Sequence, residues 1–595
     1  MPTKPLADLC RVILRDVYGE LAETVVSTVF DHGRLTAKDI SQFSGIPMAA
    51  VKRAIVALIQ NRFLVYWVDE SSKAVYYYDN WTQIYAVLWT GPVLTLVNDT
   101  FDDPTAAEVV KNMLVYGHMQ LSDYVGATSE TDSDKVLQLI TQLVQKRILR
   151  PLLDEEFQSK EDLYNRFFKQ YKDQLRMSSQ SESAKVVQAT DSTEKSMRNT
   201  FDVRDRPDFG MLNDSKCQTS SVMSGKKSNL SLGKVEVKKI DKDAIVAVNY
   251  EKYLVIARNR FLASVVERRI GKATAHVYRR LLQRYESRIE RCSQVLERVS
   301  ESNVGVGEVY KGLDQSVDIK NAIVPPPSRN KRKSMAPNGS SKRQKTDGSY
   351  IAVDEEDDDD FDLDAALDND DNEVDSLEVN GKGKGQEELT QADVRKHLEL
   401  LADSPMKFLI KINSSEWFVP FEEAMKHARR LTYDEIVTNK CGNIPARLLR
   451  IIRDKGRVDE KFLSKVALIQ SNDLRGHLAK LQDFGAIDLQ EIPRGNDRAP
   501  ARTYYLWYHD PQRAYLHLLH DTYCTQERLY SRMLFEKKEQ SILLSKLERE
   551  DVKGNEDQFL NTQEKHDLRA LRQKEEKLLA QIWRLDEIVK VFRDY

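Results

Sequence analysis

Residues 35–67, LTAKDISQFSGIPMAAVKRAIVALIQNRFLVYW, have few ways to fold. Thr36, with Asp39 three residues on, is placed to cap a short helix. Gly45-Ile46-Pro47 then breaks it, with Pro47 where a new helix tolerates proline. The second helix is predicted to run to about Asn61. Val51, Ile55, Leu58 and Ile59 recur at helical spacing and bury one face, while Lys52, Arg53 and Gln60 stay outside. FLVYWV, a polar DESS turn and KAVYYYD follow as strand, turn and partner strand. A preceding helix over residues 21–30 completes helix, helix, helix, hairpin. This is the winged-helix arrangement, used for docking on nucleic acid or within transcription complexes.

The same order returns in residues 444–509. IPARLLRIIRDKG is a helix stopped by Gly456, VDEKFLSKVAL a second, and Ser471 begins a third, NDLRGHLAKLQDF, closed by Gly485. AIDLQEI, PRGNDRAPA and RTYYLWYH supply strand, wing and strand, so the unit is an internal repeat of the first. Two further copies are expected between them. In one, Asp103-Pro104 opens a helix that Gly117 breaks, LSDYV is short and helical, and residues 134–147 form the long helix before ILRPLL, with no obvious wing. In the other, residues 248–286 are helical on both sides of Gly271. Its strands, KFLIKI and EWFVPF, and a helix over residues 422–430 come only after a long interruption. Beyond residue 511 the rule changes. Leu516, Leu519, Tyr523, Gln526, Tyr530, Met533, Lys537, Gln540, Leu544 and Leu547 alternate spacings of three and four. Leu568, Leu571, Glu575, Leu578, Ile582, Leu585, Val589 and Phe592 do the same, and Lys553-Gly554-Asn555 turns the chain between them. A hairpin is the economical arrangement, pairing between two chains its competitor.

The expected fold is mainly α with small β wings: four tandem winged-helix domains followed by a C-terminal antiparallel coiled-coil hairpin. Residues 1–80 and 81–175 are the first two winged helices, and 176–235 a low-complexity linker rich in serine, lysine, glutamate and glutamine. Residues 236–440 are the third, interrupted by a basic and acidic insertion at about 300–389. Residues 441–510 are the fourth and 511–595 the hairpin. At 595 residues the chain is too long for one core, and its net charge of -3 hides segregated blocks of opposite sign.

No apolar run approaches the roughly 20 residues that span a bilayer, and the N-terminus lacks the apolar stretch of a signal peptide, so an intracellular protein with no membrane partner is expected. Cys10, Cys217, Cys292, Cys441 and Cys524 stand singly, which offers neither a disulfide framework nor a CxxC zinc site. There is no phosphate loop, HExxH, GxGxxG or GxSxG. Asp360, Asp362 and Asp364 have a magnesium-like spacing but sit in an acidic run without a frame to fix them. No enzyme, metal or cofactor is therefore expected. Arg329, Lys331, Arg332 and Lys333, then Lys342, Arg343 and Lys345, form two basic clusters about a small-residue spacer, the pattern of a bipartite nuclear-import signal. Candidate DNA or partner contacts are Lys52 and Arg53 on the first unit's long helix, Arg475, His477 and Lys480 on the corresponding helix of the last, and Arg494, Arg498 and Arg502 in its wing. These helices lack the asparagine, glutamine and arginine density of base readers. Phosphate contact or protein docking is expected instead.

The stretch of residues 35–67, the central VNYEKYLVIARNRFLASVVERRIGKATAHVYRRLL and the terminal helices together resemble the third-largest subunit of nuclear RNA polymerase III, fungal type. The likeness covers the chain apart from its low-complexity segments. It implies a nuclear, non-catalytic subunit, with the nucleotidyltransferase site in another chain. It also implies partners: the clamp of the largest subunit, the other two members of an initiation heterotrimer, TFIIIB, and promoter DNA bound without sequence specificity. The implied role is promoter opening at transfer-RNA, 5S ribosomal-RNA and other small-RNA genes, with no homo-oligomer. No functional side chain is carried over by the resemblance. Removal of residues 511–595 is expected to release the chain from the polymerase. The rival readings are a general transcription factor resembling TFIIE-alpha, against which the missing zinc-ribbon cysteines count, and a scaffold whose winged helices touch only protein.

Overall fold

The computed structural model describes residues 2–69, 72–101, 103–127, 130–177, 181–205, 211–212, 239–240, 243–292, 303–313, 319, 322–323, 390–413, 415–493, 503–550, 552, 554 and 556–595. The chain opens with α1 (Lys4–Tyr18) and α2 (Glu20–His32). Then come β1 (Leu35–Thr36), α3 (Ala37–Ser44), α4 (Met48–Gln60), β2 (Leu64–Val68) and β3 (Val75–Asp79). Thr36 and Asp39 cap α3 reciprocally: the Asp39 amide donates to the threonine hydroxyl, and the Thr36 amide to the carboxylate. Helix α4 buries Val51, Ala54, Ile55 and Leu58, and β3 lies between β1 and β2 in an antiparallel sheet.

After α5 (Trp81–Ala86) and α6 (Thr90–Thr100), a second unit begins with α7 (Pro104–Tyr116), β4 (His118–Gln120), α8 (Leu121–Gly126), α9 (Glu130–Gln145) and β5 (Leu149–Pro151). Its hairpin then opens into a long excursion. Within it, α10 (Lys160–Gln174) and α11 (Glu182–Asp205) pack together through buried Ala189 and Thr193 and a bond from Tyr171 to Ser196, and β6 (Met211–Leu212) pairs with β7 (Lys239–Ile240). Strand β8 (Ile245–Val248) returns between β4 and β5. Two expectations change here. Residues 182–205, which composition suggested were linker, are helical, because α11 buries only a narrow stripe and needs few apolar residues. Strand β8, expected in the third domain, closes the second unit's sheet.

The third unit contains α12 (Tyr250–Arg269), α13 (Lys272–Glu286), β9 (Val304–Gly305), α14 (Val306–Tyr310), α15 (Gln391–Asp403), β10 (Ile410–Lys411) and β11 (Glu416–Phe418), with β11 central in its sheet. Residues 304–310, expected within the insertion, thus supply its first strand and short helix. Helix α16 (Phe421–Cys441) runs well beyond residue 430. It spans two cores, with Ala424, Met425 and Ala428 in one and Tyr433 and Val437 in the next. The last unit is α17 (Asn443–Lys455), α18 (Glu460–Ala467), α19 (Ser471–Asp483), β12 (Asp488–Pro493) and β13 (Thr503–Tyr508), its first strand reduced to one bridge from Val458 to Trp507.

One turn recurs after the helix that leads into each unit's hairpin. Arg62 (φ 59), Arg147 (φ 62), Lys407 (φ 50) and Gly485 (φ 74) are left-handed. In three units the next amide bonds back into the helix: Phe63 N to Leu58 O at 2.8 Å, Ile148 N to Leu143 O at 2.9 Å, and Ala486 N to Leu481 O at 2.9 Å. This is the helix-closing pattern that satisfies late carbonyls. The far strand ties to the same turn. Asn80 donates to Arg62 O and Asn249 to Arg147 O, each at 2.9 Å, and His509 Nδ1 meets Ala486 O at 2.6 Å. These bonds set each hairpin's register against its helix.

The chain ends in α20 (Pro511–Glu539), α21 (Ser541–Leu547), α22 (Glu556–Phe559) and α23 (Thr562–Val589), reversing near Gly554 (φ 87). Contacts between α20 and α23 run in opposite order, Glu536 with Lys574 and Gln526 with Ile582, so the two are antiparallel. Helix α20 also lies along α1. Serving two neighbours, it buries a broad stripe that includes Ala514, Leu518, Thr522 and Gln526 rather than a single seam, and Leu516, expected on the seam, is 65% exposed.

The inner ends of these helices plug into the first unit and into residues 81–89 that follow it. Buried Asp586 accepts from Tyr85 OH at 2.8 Å and Trp89 Nε1 at 3.1 Å. Lys590, wholly buried, donates to Tyr253 OH at 3.1 Å and lies 3.4 Å from Asp586. Burial alone would favour loss of its proton, but Asp586, Tyr253 and Glu587 outweigh that and raise its pKa. The Arg593 guanidinium stacks 4.1 Å over the Tyr85 ring, between Trp81 and Trp89, and Tyr530 donates to Asp16 at 3.1 Å. The first three units thus share one core with the terminal helices, while the last unit has a second, around Leu449, Ile452, Leu463, Leu474 and Leu478, to which α20 adds Ala514 and Leu518. Removing residues 511–595 would leave buried polar groups of the first unit unpaired. Such a truncation reports folding before it reports docking. No single described helix is long and apolar enough to cross a membrane.

Candidate nucleic-acid and partner interface

Helix α4 is half open and half held. Lys52 and Arg53 are exposed near its start, and Val56, one turn on, is 69% exposed. Pro47 at its cap contributes no side-chain bond, which leaves the positive end of the helix dipole without a side-chain cap. The far end is pinned to the second unit. Gln60 donates to Tyr116 O at 3.3 Å and also to His118 O. Gly117 (φ 81) comes so close that a Cβ there would stand 2.3 Å from Gln60 O. Only the opening turns of α4 remain available.

In the last unit, Arg475, His477 and Lys480 all lie on α19, but in different states. Arg475 Nε already donates to Glu460 Oε1 on α18 at 2.6 Å. An exposed pair of this kind is worth only about 0–1 kcal/mol, so a phosphate competes for the guanidinium on even terms. Lys480 is exposed with no bond to its ammonium, and half-buried His477 has an Nδ1 without a partner. Arg494, Arg498 and Arg502 lie outside the described residues, as do the seven import-signal residues from Arg329 to Lys345. The strands on either side of that loop present Ile492 opposite Tyr504, with Tyr505 beside them, all at least 39% exposed. Within one unit the structure gathers the α19 cations and an aromatic hairpin. Lys52 and Arg53 belong to another core.

Sequence reasoning missed an apolar ridge. Phe462 and Val466 are each 40% exposed on α18, and Leu468, which ends it in a left-handed conformation (φ 55), is 86% exposed. The signal was legible in EKFLSKVAL. A helix this short on a small core buries only Leu463 and Ala467, so its other apolar residues are surplus to packing. The ridge shares α18 with Glu460, and so adjoins the Arg475 pair.

Among the described residues no group of three or more histidine, cysteine, aspartate or glutamate side chains is placed to hold a metal ion. Burial pushes the Cys10 thiol far up and Cys292 up to about 11, so neither is a ready nucleophile. His509 and His118 are both depressed, mainly by burial.

Comparison with known proteins places these units. The family described as RNA polymerase III subunit RPC82 matches residues 138–428, the RNA polymerase III subunit RPC82 helix-turn-helix domain matches 8–69, and the POLR3C C-terminal winged-helix domain matches 433–509. The chain is 36% identical over 618 residues to the DNA-directed RNA polymerase III subunit RPC3 of Yarrowia lipolytica, covering 100% of this chain and 98% of that protein. It is 27% identical over 672 residues to the corresponding subunit of Botryotinia fuckeliana, covering 100% of both chains. With that of Debaryomyces hansenii it shares 27% identity over 630 residues, covering 99% of this chain and 98% of its relative.

Proposed function

The chain belongs to the RPC3 family of RNA polymerase III subunits, accessory rather than catalytic, and from that membership we propose that it supports promoter opening and initiation of transfer-RNA, 5S ribosomal-RNA and other small-RNA transcription. In this reading each of the four repeated units is a winged helix, the second and third carrying long insertions. The terminal helices form a coiled-coil hairpin that braces the first three units. The partners are the clamp of the largest subunit, the other two members of the initiation heterotrimer, TFIIIB and promoter DNA. The protein acts in the nucleus, with residues 329–345 as its import signal.

The observation that carries the reading is the last unit. It gathers around a second core the exposed Lys480, an aromatic hairpin and an apolar ridge on α18. The lysine suits phosphate and the ridge suits protein. Phosphate contacts position without reading bases, and a module that holds the opened template more tightly than the closed duplex shifts the equilibrium toward the bubble. Changing Arg494, Arg498 and Arg502 together to glutamate is expected to weaken open-complex formation and leave polymerase assembly intact. Unaltered permanganate footprints on a promoter would contradict this. A second reading, protein contact alone, is favoured by the engagement of Arg475 with Glu460. Initiation whose salt dependence is the same in the triple variant and the unaltered chain would support it.

A further inference from the structure

Where the second and third units meet, the ends of α6 and α9 and one face each of α12 and α13 line a cavity of about 790 Å³ that is open to solvent. That is a size at which proteins take small ligands or a few residues of peptide. Its walls carry Lys146, Arg147, Lys252, Arg260 and Arg279 against two carboxylates, Asp99 and Glu286. Arg260 pairs with Asp99 at 3.3 Å, Arg147 with Glu290 and Arg279 with Glu267, the last two partners lying outside the wall. Lys252, 9% exposed, spends its ammonium on the Glu286 carbonyl, within electrostatic range of Arg147 and Lys146. Lys146 is exposed, and among the described residues its ammonium has no partner. Leu96, Ile148, Ile256 and Leu282 add an apolar surface. Asn259, 2% exposed, also lines the cavity, and its Oδ1 has no donor opposite.

We propose that this cavity docks an acidic peptide segment of a partner protein, taking a carboxylate beside Lys146 and an apolar side chain against the leucines and isoleucines. A nucleic-acid backbone fits less well. It brings a charge with every nucleotide past Asp99 and Glu286, and its phosphates offer no donor for Asn259, whereas a peptide spaces its carboxylates and carries N–H groups. The site requires no DNA contact, so its failure would leave the promoter reading untouched.

The test uses the full chain and a fluorescein-labelled octapeptide of alternating glutamate and leucine, followed by anisotropy, with an eight-nucleotide oligo-dT and inorganic phosphate as competitors. Saturable peptide binding is expected, weakened about tenfold or more by Lys146→Glu with Arg279→Glu, two exposed positions, with an unchanged melting curve. Asn259→Ala is expected to lose less. Oligo-dT is expected to compete poorly, and phosphate only weakly. No saturable binding at millimolar peptide would overturn the proposal. So would equal affinity in the charge-reversed chain, or displacement by oligo-dT at concentrations similar to the peptide's own dissociation constant.

Discussion

The two ends of the molecule use similar units in opposite ways. The first unit is locked in place: α4 is pinned through Gln60, Tyr85 and Trp89 just beyond the unit bind Asp586, and Tyr530 and Lys537 reach Asp16. The last unit is built around a second core, to which α20 adds Ala514 and Leu518, and shows solvent an apolar ridge, an exposed lysine and an aromatic hairpin. The same winged-helix grammar thus serves as structural joint in one place and as presented surface in the other. What decides between them is which faces the neighbouring helices cover.

That contrast breaks most readily at Asp586. Its replacement by alanine leaves Tyr85 and Trp89 without their acceptor and takes one of two carboxylates from buried Lys590, which keeps Glu587 and Tyr253, and is expected to cost about 3–5 kcal/mol in the shared core. Leu463→Ala is expected to cost about 3 kcal/mol, but in the last unit alone. Two calorimetric transitions, each moved by only one of these variants, would sharpen the comparison. A single transition moved by both would end it. Gly117→Ala, which combines a left-handed backbone with the close approach to Gln60, is expected to cost about 2 kcal/mol and to loosen the first unit from the second, read as faster amide exchange at residues 60–61 and 117–118.

The smallest expected effect is in pH. The folded pKa of His509 lies below its unfolded value near 6.5, so below that pH the unfolded chain binds the proton more readily. Stability of the last unit is expected to be full above pH 6.5 and to erode as pH falls toward the folded pKa. His509→Gln should flatten that slope, and an unchanged slope would remove His509 as its source.

The outer units were legible because helix period, cap and hairpin follow one another without interruption. The second unit's closing strand was not, because β5 and β8 pair across the excursion that holds α10 and α11, and local pattern carries no trace of a distant partner. Yet the repeated turn was present in NRFL, KRIL and MKFL, where a basic residue adopts the left-handed backbone that glycine supplies in FGAI. In sequence such a residue looks like one more exposed helix position. Asp586, Lys590 and Arg593 likewise resemble a solvated helix face, since their partners come from residues 81–89 and 253. The cationic candidates were legible as residue types, but the engagement of Arg475 by Glu460 was not.

We propose that the last unit presents itself to promoter DNA while the first holds its place among proteins. A photo-reactive amino acid placed in turn at Lys480 and at Lys52, in a polymerase III initiation complex assembled on a promoter, tests this directly. DNA crosslinks from position 480 that strengthen as the bubble opens, with protein crosslinks from position 52, are the predicted result. DNA crosslinks from position 52 and none from position 480 would contradict it.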